Sequence, residues 1–377
     1  MKKLNFWQRL LLCFVVVLPL MYLNPFFKAD KQQVDQTVSN EQKSAVKSPA
    51  ITTSKLKKLK TNGLASYIGV STLSFRETFG EPLQTFASAE NIEWQQYGTS
   101  ASEYMLVGSD QNTEKIVTIY TVGKSSAKNV LQVGMSLKKL RQKVTLSSNF
   151  KLSLNEQVAQ LKLSANDLVT HPLVAFKNGS YAISYFDSNT KKITAIAYVA
   201  KNELLRSQIY RVSSQTPLPV QYSSAVDWNA IQLPLQSSTL ALINIKRNLA
   251  KKEPYMSSTE LNEVAKKISM TIDEKPQKYF SKKQMKQYRL LKSERLVDAT
   301  SLLLTSKTKI KQLLKDAGVD PKSYGICYGA PVTAPTQLLT GQTKISTFWQ
   351  KLIYADASEV GIYYDKACLT AVYRKKI

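Results

Sequence analysis

Apolar and polar positions divide the chain into segments with different patterns. A continuous apolar run extends over residues 10–23 and continues to Phe27, and basic residues precede it. As a helix this stretch is about 27 Å long, close to the hydrocarbon thickness of a bilayer. We therefore predict a transmembrane helix within residues 1–27. Because positive charge is retained on the cytoplasmic side, the rest of the chain is predicted to lie outside the membrane.

The same run admits a second interpretation, a cleaved signal peptide, whose apolar region has a similar length. A signal peptidase site requires small residues separated by one position, and LNPFFK at residues 23–28 offers none. This favours an uncleaved signal anchor. Residues 28–62 are polar, rich in lysine and without apolar periodicity, so we predict that they form a disordered basic tether.

Two segments of the next part of the chain repeat one another. Residues 104–122 (YMLVGSDQNTEKIVTIYTV) and 181–199 (YAISYFDSNTKKITAIAYV) share the pattern D-x-N-T-x-K-I. Each has two strand-like apolar segments around a cluster of turn-forming residues, which predicts a β-hairpin. A serine that can cap a short helix precedes each hairpin, at Ser71 in IGVS and at Ser136 in VGMS. We predict that residues 63–210 form two helix-and-hairpin repeats, with a loop-like insertion between Ser147 and Asp167.

The last part of the chain has the pattern of an α+β domain. A proline-punctuated linker is predicted over residues 211–236, and helical apolar spacing begins at about Ser237. Ser257 and Glu260 have the spacing of a capping box that opens a helix, and a second amphipathic helix is predicted over residues 307–317. Strands are predicted at residues 325–328, 360–364 and 369–373. The fold class is therefore α+β, with a C-terminal domain over residues 237–377.

The composition excludes several kinds of site. The chain has 52 Lys and Arg against 27 Asp and Glu, a net charge of +25, and it contains three cysteines and one histidine. A zinc centre with two or more histidines or with four cysteines is therefore unavailable within one chain. His171 precedes Pro172 at the start of a predicted strand, so we interpret it as a structural or surface histidine.

The motifs of the repeated region carry a family resemblance. A G-x-S helix that ends in F-G-E-P, a hairpin, a second G-M-S copy and HPLVAFKNGSY follow one another between about Gly63 and Tyr210. This region resembles the CAP-associated N-terminal domain of bacterial cell-surface proteins. The duplication is a feature of the scaffold and by itself indicates no chemistry.

The C-terminal region resembles the CAP (SCP-like) superfamily, which includes cysteine-rich secretory proteins and plant pathogenesis-related proteins. The matching pieces, in order, are NIKR from Asn244, the helix of Leu261 with Ala265 and Ser269, F-S at residues 280–281, A-G-V at 317–319, GICYG from Gly325 and VGIYY from Val360. The resemblance implies a three-layer α-β-α sandwich.

The resemblance also implies a site whose usual histidines and glutamate are replaced. Family members usually carry histidines and a glutamate around one cavity, and the matching positions here hold Ile268, Lys282, Tyr324 and Gln342. Ile and Lys supply no lone pair at neutral pH, and Tyr and Gln are poor metal ligands. We therefore expect a degenerate cavity with no catalytic residue, no metal and no cofactor.

These observations predict a non-enzymatic, CAP-like binding or interaction protein of the cell envelope, anchored in the membrane. The basic ectodomain is expected to concentrate at an anionic cell-wall polymer, and an envelope protein is the alternative partner. The competing class is an atypical envelope peptidase or hydrolase that uses Ser281 and Lys282. Those residues form a weak pair because neighbours on a strand point to opposite faces. Nucleic-acid binding is disfavoured, because the chain is exported and its lysines are dispersed without a stacking-aromatic motif.

A disulfide is expected between Cys327 and Cys368, the only cysteines outside the apolar run. The family resemblance places them on nearby strands of one sheet, and export permits their oxidation. The alternative is two separate buried thiols.

The anchor interpretation predicts the N-terminus of the native protein. Because no cleavage site follows the apolar run, N-terminal sequencing of the protein isolated from its host should begin at Met1, and the protein should partition with membranes. A sequence that begins near Ala29 would contradict the anchor and support a cleaved signal peptide.

Overall fold

A computed structural model describes residues 57–123, 129–187, 189–223, 226–338 and 344–376. The predicted transmembrane segment and most of the predicted tether lie outside these residues. Among the described residues, no helix combines the length and the apolar character that crossing a bilayer requires. The described residues belong to one compact unit.

The N-terminal part contains four short helices and ten strands among its described residues. They are α1 (Thr72–Phe79), β1 (Gln84–Ala87), β2 (Ile92–Tyr97), β3 (Met105–Asp110), β4 (Ile116–Thr121), α2 (Leu137–Lys143), β5 (Asn149–Leu154), β6 (Gln157–Lys162), α3 (Asp167–Thr170), β7 (Leu173–Ala175), β8 (Tyr181–Phe186), β9 (Ile193–Val199), α4 (Lys201–Ser207) and β10 (Arg211–Ser213). Seven strands form an antiparallel sheet in the order β1-β2-β3-β4-β9-β8-β7. The two predicted hairpins are confirmed, and they meet where β4 pairs with β9.

The turn and cap residues of the two repeats act as their sequence pattern predicts. Asp110 Oδ1 accepts hydrogen bonds from the backbone N–H groups two and three residues later, at 3.1 and 2.9 Å. Asp187 makes the same bonds in the second copy, at 3.1 and 2.7 Å. The hydroxyls of Ser71 and Ser136 each accept a backbone N–H at 3.2 Å and cap α1 and α2. The repeat is therefore a duplication of structure as well as of sequence.

The insertion in the second repeat, between α2 and the hairpin of that repeat, is itself a β-hairpin, so the expectation of a loop is wrong. Strands β5 and β6 pair over six residues, and β10 adds to β6 as a third strand. The apolar side chains of Phe150, Leu152 and Leu154 alternate with exposed polar ones. This period of two is the pattern of a strand with one buried face, and it overrides the turn-forming serines around it.

The end of the segment predicted as a tether makes contacts with the N-terminal part. Leu59, assigned to the tether, donates its N–H to the carbonyl of Ala175 at 2.8 Å and accepts from the N–H of Lys177 at 2.9 Å. Its side chain packs against the core below the seven-stranded sheet. Burial of one leucine together with two backbone hydrogen bonds offsets the cost of ordering this end of the basic segment.

The C-terminal part contains six helices and five strands among its described residues. They are α5 (Trp228–Leu249), β11 (Met256–Ser257), α6 (Thr259–Glu274), α7 (Pro276–Tyr279), α8 (Lys282–Lys292), β12 (Leu302–Leu303), α9 (Lys307–Asp316), β13 (Tyr324–Ala330), α10 (Lys344–Tyr354), β14 (Glu359–Asp365) and β15 (Cys368–Arg374). The sheet order is β11-β14-β15-β13-β12. Helices α5 and α10 share a core with one face of the sheet, and α6, α8 and α9 share a core with the other. This is the layered arrangement that the resemblance implied.

Two predicted helix starts are displaced. Helix α5 begins at Trp228 rather than near Ser237, because Asp227 Oδ1 caps it by accepting from two backbone N–H groups at 3.1 Å. Pro234 lies inside this helix and does not end it. Helix α6 is capped by Ser258, whose Oγ accepts from the Leu261 N–H at 3.3 Å. The predicted cap, Ser257, instead lies in β11.

The two cysteines lie on opposite faces of the C-terminal sheet, so the expected disulfide is wrong. Cys327 pairs with Ala371 across β13 and β15, and Cys368 is three residues from that partner. Three residues of strand separate the two positions by roughly 10 Å and reverse the side-chain direction. Each thiol is free and buried in a different core. Burial raises the pKa of both thiols to about 12.

A buried arginine connects the C-terminal end of α5 with the C-terminal end of α10. Arg247, in the last turn of α5, is 2% exposed. Its guanidinium donates, at 2.6–3.4 Å, to the carbonyls of Glu253, Leu352, Ile353, Ala355 and Ala357. It also lies 3.7 Å over the ring of Tyr255. Buried carbonyls need donors, and this one planar side chain supplies them to the end of α10 and to the segment before β14.

We predict that Arg247→Met lowers the free energy of unfolding by about 3–5 kcal/mol, because several buried carbonyls lose their donor at once. Arg247→Lys should recover only part of this loss, since an ammonium lacks the planar fork and the stacking face. Urea unfolding measures both variants, with the exposed Arg141→Met as control. Equal stability of the Met and Lys variants would contradict this account.

Candidate functional site

Three of the four positions expected to form a degenerate cavity lie in the described residues, on α6, α8 and β13. Ile268 is fully buried on α6. Tyr324 opens β13 and lies 5.8 Å from the guanidinium of Arg374. Lys282 is the exposed first residue of α8 and lines a groove that neither Ile268 nor Tyr324 lines. Gln342 lies outside the described residues.

The groove along α8 is basic and open to solvent. It has a volume of about 780 Å³, with Lys282, Lys286 and Arg289 along one face of the helix. These residues stand one turn apart, at about 6 and 10.5 Å from the first along the helix axis. Phe280 and Met285 contribute an apolar floor. None of the three cations has a salt bridge to a carboxylate within the described part of the chain.

The serine beside Lys282 has a structural role. Ser281 caps α8: its Oγ accepts from the Gln284 N–H at 3.4 Å, and its own N–H donates to Gln284 Oε1 at 3.0 Å. Its hydroxyl also donates to that same oxygen, at 3.0 Å. Ser281 and Lys282 therefore start a helix rather than occupy a strand, and the hydroxyl proton points to an amide oxygen.

His171 is packed inside the N-terminal part, as the sequence indicated. It is 2% exposed, and its ring stacks on Tyr210 with centroids 5.2 Å apart. Nδ1 lies 2.7 Å from the hydroxyl of Thr170, and Nε2 lies 3.2 Å from Asp167 Oδ1. Burial lowers the pKa of His171 to about 4, against the opposing effect of Asp167. The ring is therefore neutral at physiological pH.

A second candidate site is a cavity of about 480 Å³ between the N-terminal and C-terminal parts. Glu90 enters it from the turn between β1 and β2. Glu90 Oε1 accepts from Thr333 Oγ1 at 2.9 Å and from Gln337 Nε2 at 3.1 Å. Both donors belong to the segment that follows β13. Burial raises the pKa of Glu90, which the Arg206 guanidinium opposes.

An ion pair forms the next wall of this cavity. Arg206, near the end of α4, donates to both carboxylate oxygens of Glu203 at 2.7 and 2.5 Å. Its remaining nitrogen donates to the carbonyl of Gln221 at 2.6 Å. Each side chain of the pair is about one-eighth exposed. The guanidinium thus holds the segment around Gln221, which connects the two parts of the chain. Each of its three nitrogens donates a hydrogen bond within the protein.

Aromatic rings complete the cavity. Trp94 and Tyr120 lie with ring centroids 6.1 Å apart at an interplanar angle of 61°, and Tyr222 lines the cavity beside them. Burial raises the pKa of Tyr222 to about 12, so its phenol is neutral. Trp94 is 1% exposed, and its indole Nε1 has no hydrogen-bond partner among the described residues.

Residues 68–210 match the family model described as "CAP-associated N-terminal". These residues form a CAP-associated N-terminal domain. The CAP-associated domain therefore includes α1 through α4, and it contributes Glu90, Trp94, Tyr120 and the Arg206–Glu203 pair to the cavity. The resemblance inferred from the sequence motifs is confirmed.

The similarity to known proteins extends beyond the CAP-associated domain. The chain is 24% identical over 254 residues to the membrane protein YlbC of Bacillus subtilis. This alignment covers 66% of this chain and 70% of that protein. An extracellular protein of Bacillus anthracis that contains an SCP domain superposes with a TM-score of 0.63 at 20% identity, over 87% of this chain and all of that one. A cysteine-rich secretory protein of Staphylococcus aureus gives 0.65 at 15% identity, over 85% and 98%. The C-terminal part thus has the CAP (SCP-like) fold.

The interdomain cavity is the site that sequence reasoning missed. Its residues come from segments near positions 90, 120, 206, 222 and 337, which no motif connects. The only local signal is a glutamate in a hairpin turn between apolar strands, and such a residue is ordinarily solvated. Within the described residues, no group of three or more His, Cys, Asp or Glu side chains is placed to hold a metal ion.

We predict that Glu90→Gln stabilises the chain at pH 7.5 by about 1 kcal/mol, the scale on which buried polar groups change stability. The amide keeps its acceptor oxygen and removes the buried charge. A folded-state pKa above the unfolded value of 4.5 means that the ionised group opposes folding at high pH and ceases to do so as the pH falls. The advantage of the variant should therefore vanish at pH 4.5.

The control is Glu203→Gln, which removes one partner of the Arg206 pair and should cost about 2–3 kcal/mol. Urea unfolding at both pH values measures all three proteins. The free energies of unfolding of the Glu90 variant and the wild type could instead differ by the same amount at the two pH values. That result would show that ionisation of Glu90 does not destabilise the folded state.

Proposed function

We propose that this protein is a non-enzymatic binding protein of the cell envelope, anchored in the membrane by its N-terminal segment and exposed on the outer side. Its CAP-like domain contacts an anionic wall polymer through α8. The observation that carries this proposal is the α8 groove, in which three cations line one helix face above an apolar floor and have no acidic partner in the described part of the chain.

The spacing of these cations suits a polymer with regularly repeated phosphates. Lys282, Lys286 and Arg289 stand about 4.5–6 Å apart along the helix axis, which is comparable to the distance between successive phosphates of a phosphodiester chain. Attraction between a chain of net charge +25 and a polyanion brings the two together from about 8–10 Å. The groove then adds a fixed geometry to that general attraction.

Two observations support binding rather than catalysis at this site. Ser281, the one hydroxyl beside Lys282, is engaged in the cap of α8. His171 is buried in the other domain and stacked on Tyr210. A hydrolase that uses Ser281 as nucleophile would have to break the cap to release the hydroxyl, so the geometry favours a binding role.

The proposed location rests on the similar proteins and on the sequence of the N-terminus. YlbC is named a membrane protein, and the structural neighbour from Bacillus anthracis is described as extracellular. The apolar run over residues 10–23, with basic residues before it, fits an anchor that leaves both domains outside the membrane.

Co-sedimentation of the full chain in detergent with purified cell-wall sacculi tests the proposal. The protein should sediment with sacculi that carry their phosphodiester polymer, and acid extraction of that polymer should abolish sedimentation. The variant K282E/K286E/R289E should reduce the bound fraction at least about tenfold at physiological salt, the loss that removal of a few phosphate contacts produces.

The matched control is K138E/K139E/R141E, which changes the net charge by the same amount on exposed residues of α2. This variant should retain most of the binding. If both triple variants lose binding equally, the net charge and not the groove is responsible. Undiminished binding to extracted sacculi would refute the polymer as the partner.

A further inference from the structure

We propose that the cavity between the CAP-associated and CAP-like domains binds a small ligand that carries a primary ammonium group on an apolar body. This site is separate from the α8 groove and is independent of the polymer contact proposed above.

The charge of the cavity is opposite to that of the protein. Its ionisable lining consists of two carboxylates, Glu90 and Glu203, one guanidinium, Arg206, and two neutral phenols. The lining is therefore acidic by one charge when its carboxylates are ionised, in a chain whose net charge is +25. An anion gains nothing from such a site, whereas a cation supplies the missing charge.

The three charges are not equivalent. The Arg206 guanidinium donates hydrogen bonds to both oxygens of Glu203 and to the Gln221 carbonyl. The carboxylate of Glu203 is therefore paired without a ligand. Arg206 lies near enough to Glu90 to lower the pKa of its carboxyl, but it donates no hydrogen bond to Glu90 among the described residues. Both hydrogen bonds to its carboxylate fall on Oε1, and among the described residues Oε2 accepts none. A ligand ammonium at Oε2 would make a charge-assisted hydrogen bond.

The aromatic walls fit the rest of such a ligand. Trp94, Tyr120 and Tyr222 line the cavity, and aromatic rings attract a cation through the ring quadrupole and an apolar body through burial. The volume of about 480 Å³ is that of a site for a small molecule.

Three probes of one shape and different charge test this proposal: phenethylammonium, 2-phenylethanol and phenylacetate. Calorimetric titration of the full chain in detergent should give an affinity for the ammonium at least about tenfold above that for the alcohol, and none for the carboxylate. Glu90→Gln should remove this preference and leave the alcohol unchanged. Trp94→Phe should weaken ammonium binding while keeping a ring in place.

The matched control is Glu77→Gln, an exposed glutamate of α1, which should bind the ammonium as the wild type does. Equal affinity for ammonium and alcohol, tighter binding of phenylacetate, or no binding of any probe at millimolar concentration would each overturn the proposal. A Glu90 variant that keeps the full ammonium preference would also overturn it. None of these outcomes bears on sedimentation with sacculi.

Discussion

The hydrogen bonds of the buried Arg247 guanidinium are the interaction on which the C-terminal half depends. A charge at 2% exposure persists because five carbonyls and the face of Tyr255 surround it. The carbonyls belong to three places: the segment after α5, the end of α10 and the approach to β14. One planar group thus fixes α5 relative to the sheet. The ammonium of a lysine lacks the planar fork that makes these hydrogen bonds.

Helix α5 in turn joins the two domains. Gln84, on β1 of the CAP-associated domain, donates to the Pro234 carbonyl at 2.8 Å and accepts from the Ser237 hydroxyl at 2.8 Å. One side chain of the CAP-associated domain therefore makes two hydrogen bonds to the first half of α5. Apolar residues of both domains, such as Trp94 and Leu242, belong to one continuous core. Because this core is shared, the walls of the interdomain cavity are held at fixed positions before any ligand arrives.

Local chemistry made much of the fold predictable. The D-x-N-T turns and the capping serines act within three residues of themselves, so one sequence was sufficient to place both hairpins and helices α1 and α2. The strands of the C-terminal sheet follow from apolar runs that contain GICYG and VGIYY. Register across a sheet is a different matter. The positions of Cys327 and Cys368 on one sheet were foreseeable, but the offset of three residues that puts the thiols on opposite faces was not.

The candidate sites were predictable to very different degrees. The α8 cations at residues 282, 286 and 289 have helical spacing, but the sequence was read there as a strand and the common face was missed. The interdomain cavity depends on Glu90 meeting Thr333 and Gln337, residues more than two hundred positions apart. Only the packing of two domains brings them together, and a single sequence carries no record of that packing.

The ligand proposed for the interdomain cavity carries a primary ammonium group on an apolar body. A crystal structure of the protein grown with phenethylammonium tests this proposal most directly. The account predicts the ammonium nitrogen within hydrogen-bond distance of Glu90 Oε2 and the phenyl ring among Trp94, Tyr120 and Tyr222. An empty cavity at a concentration that saturates the protein in solution, or a ligand seated elsewhere, would contradict it.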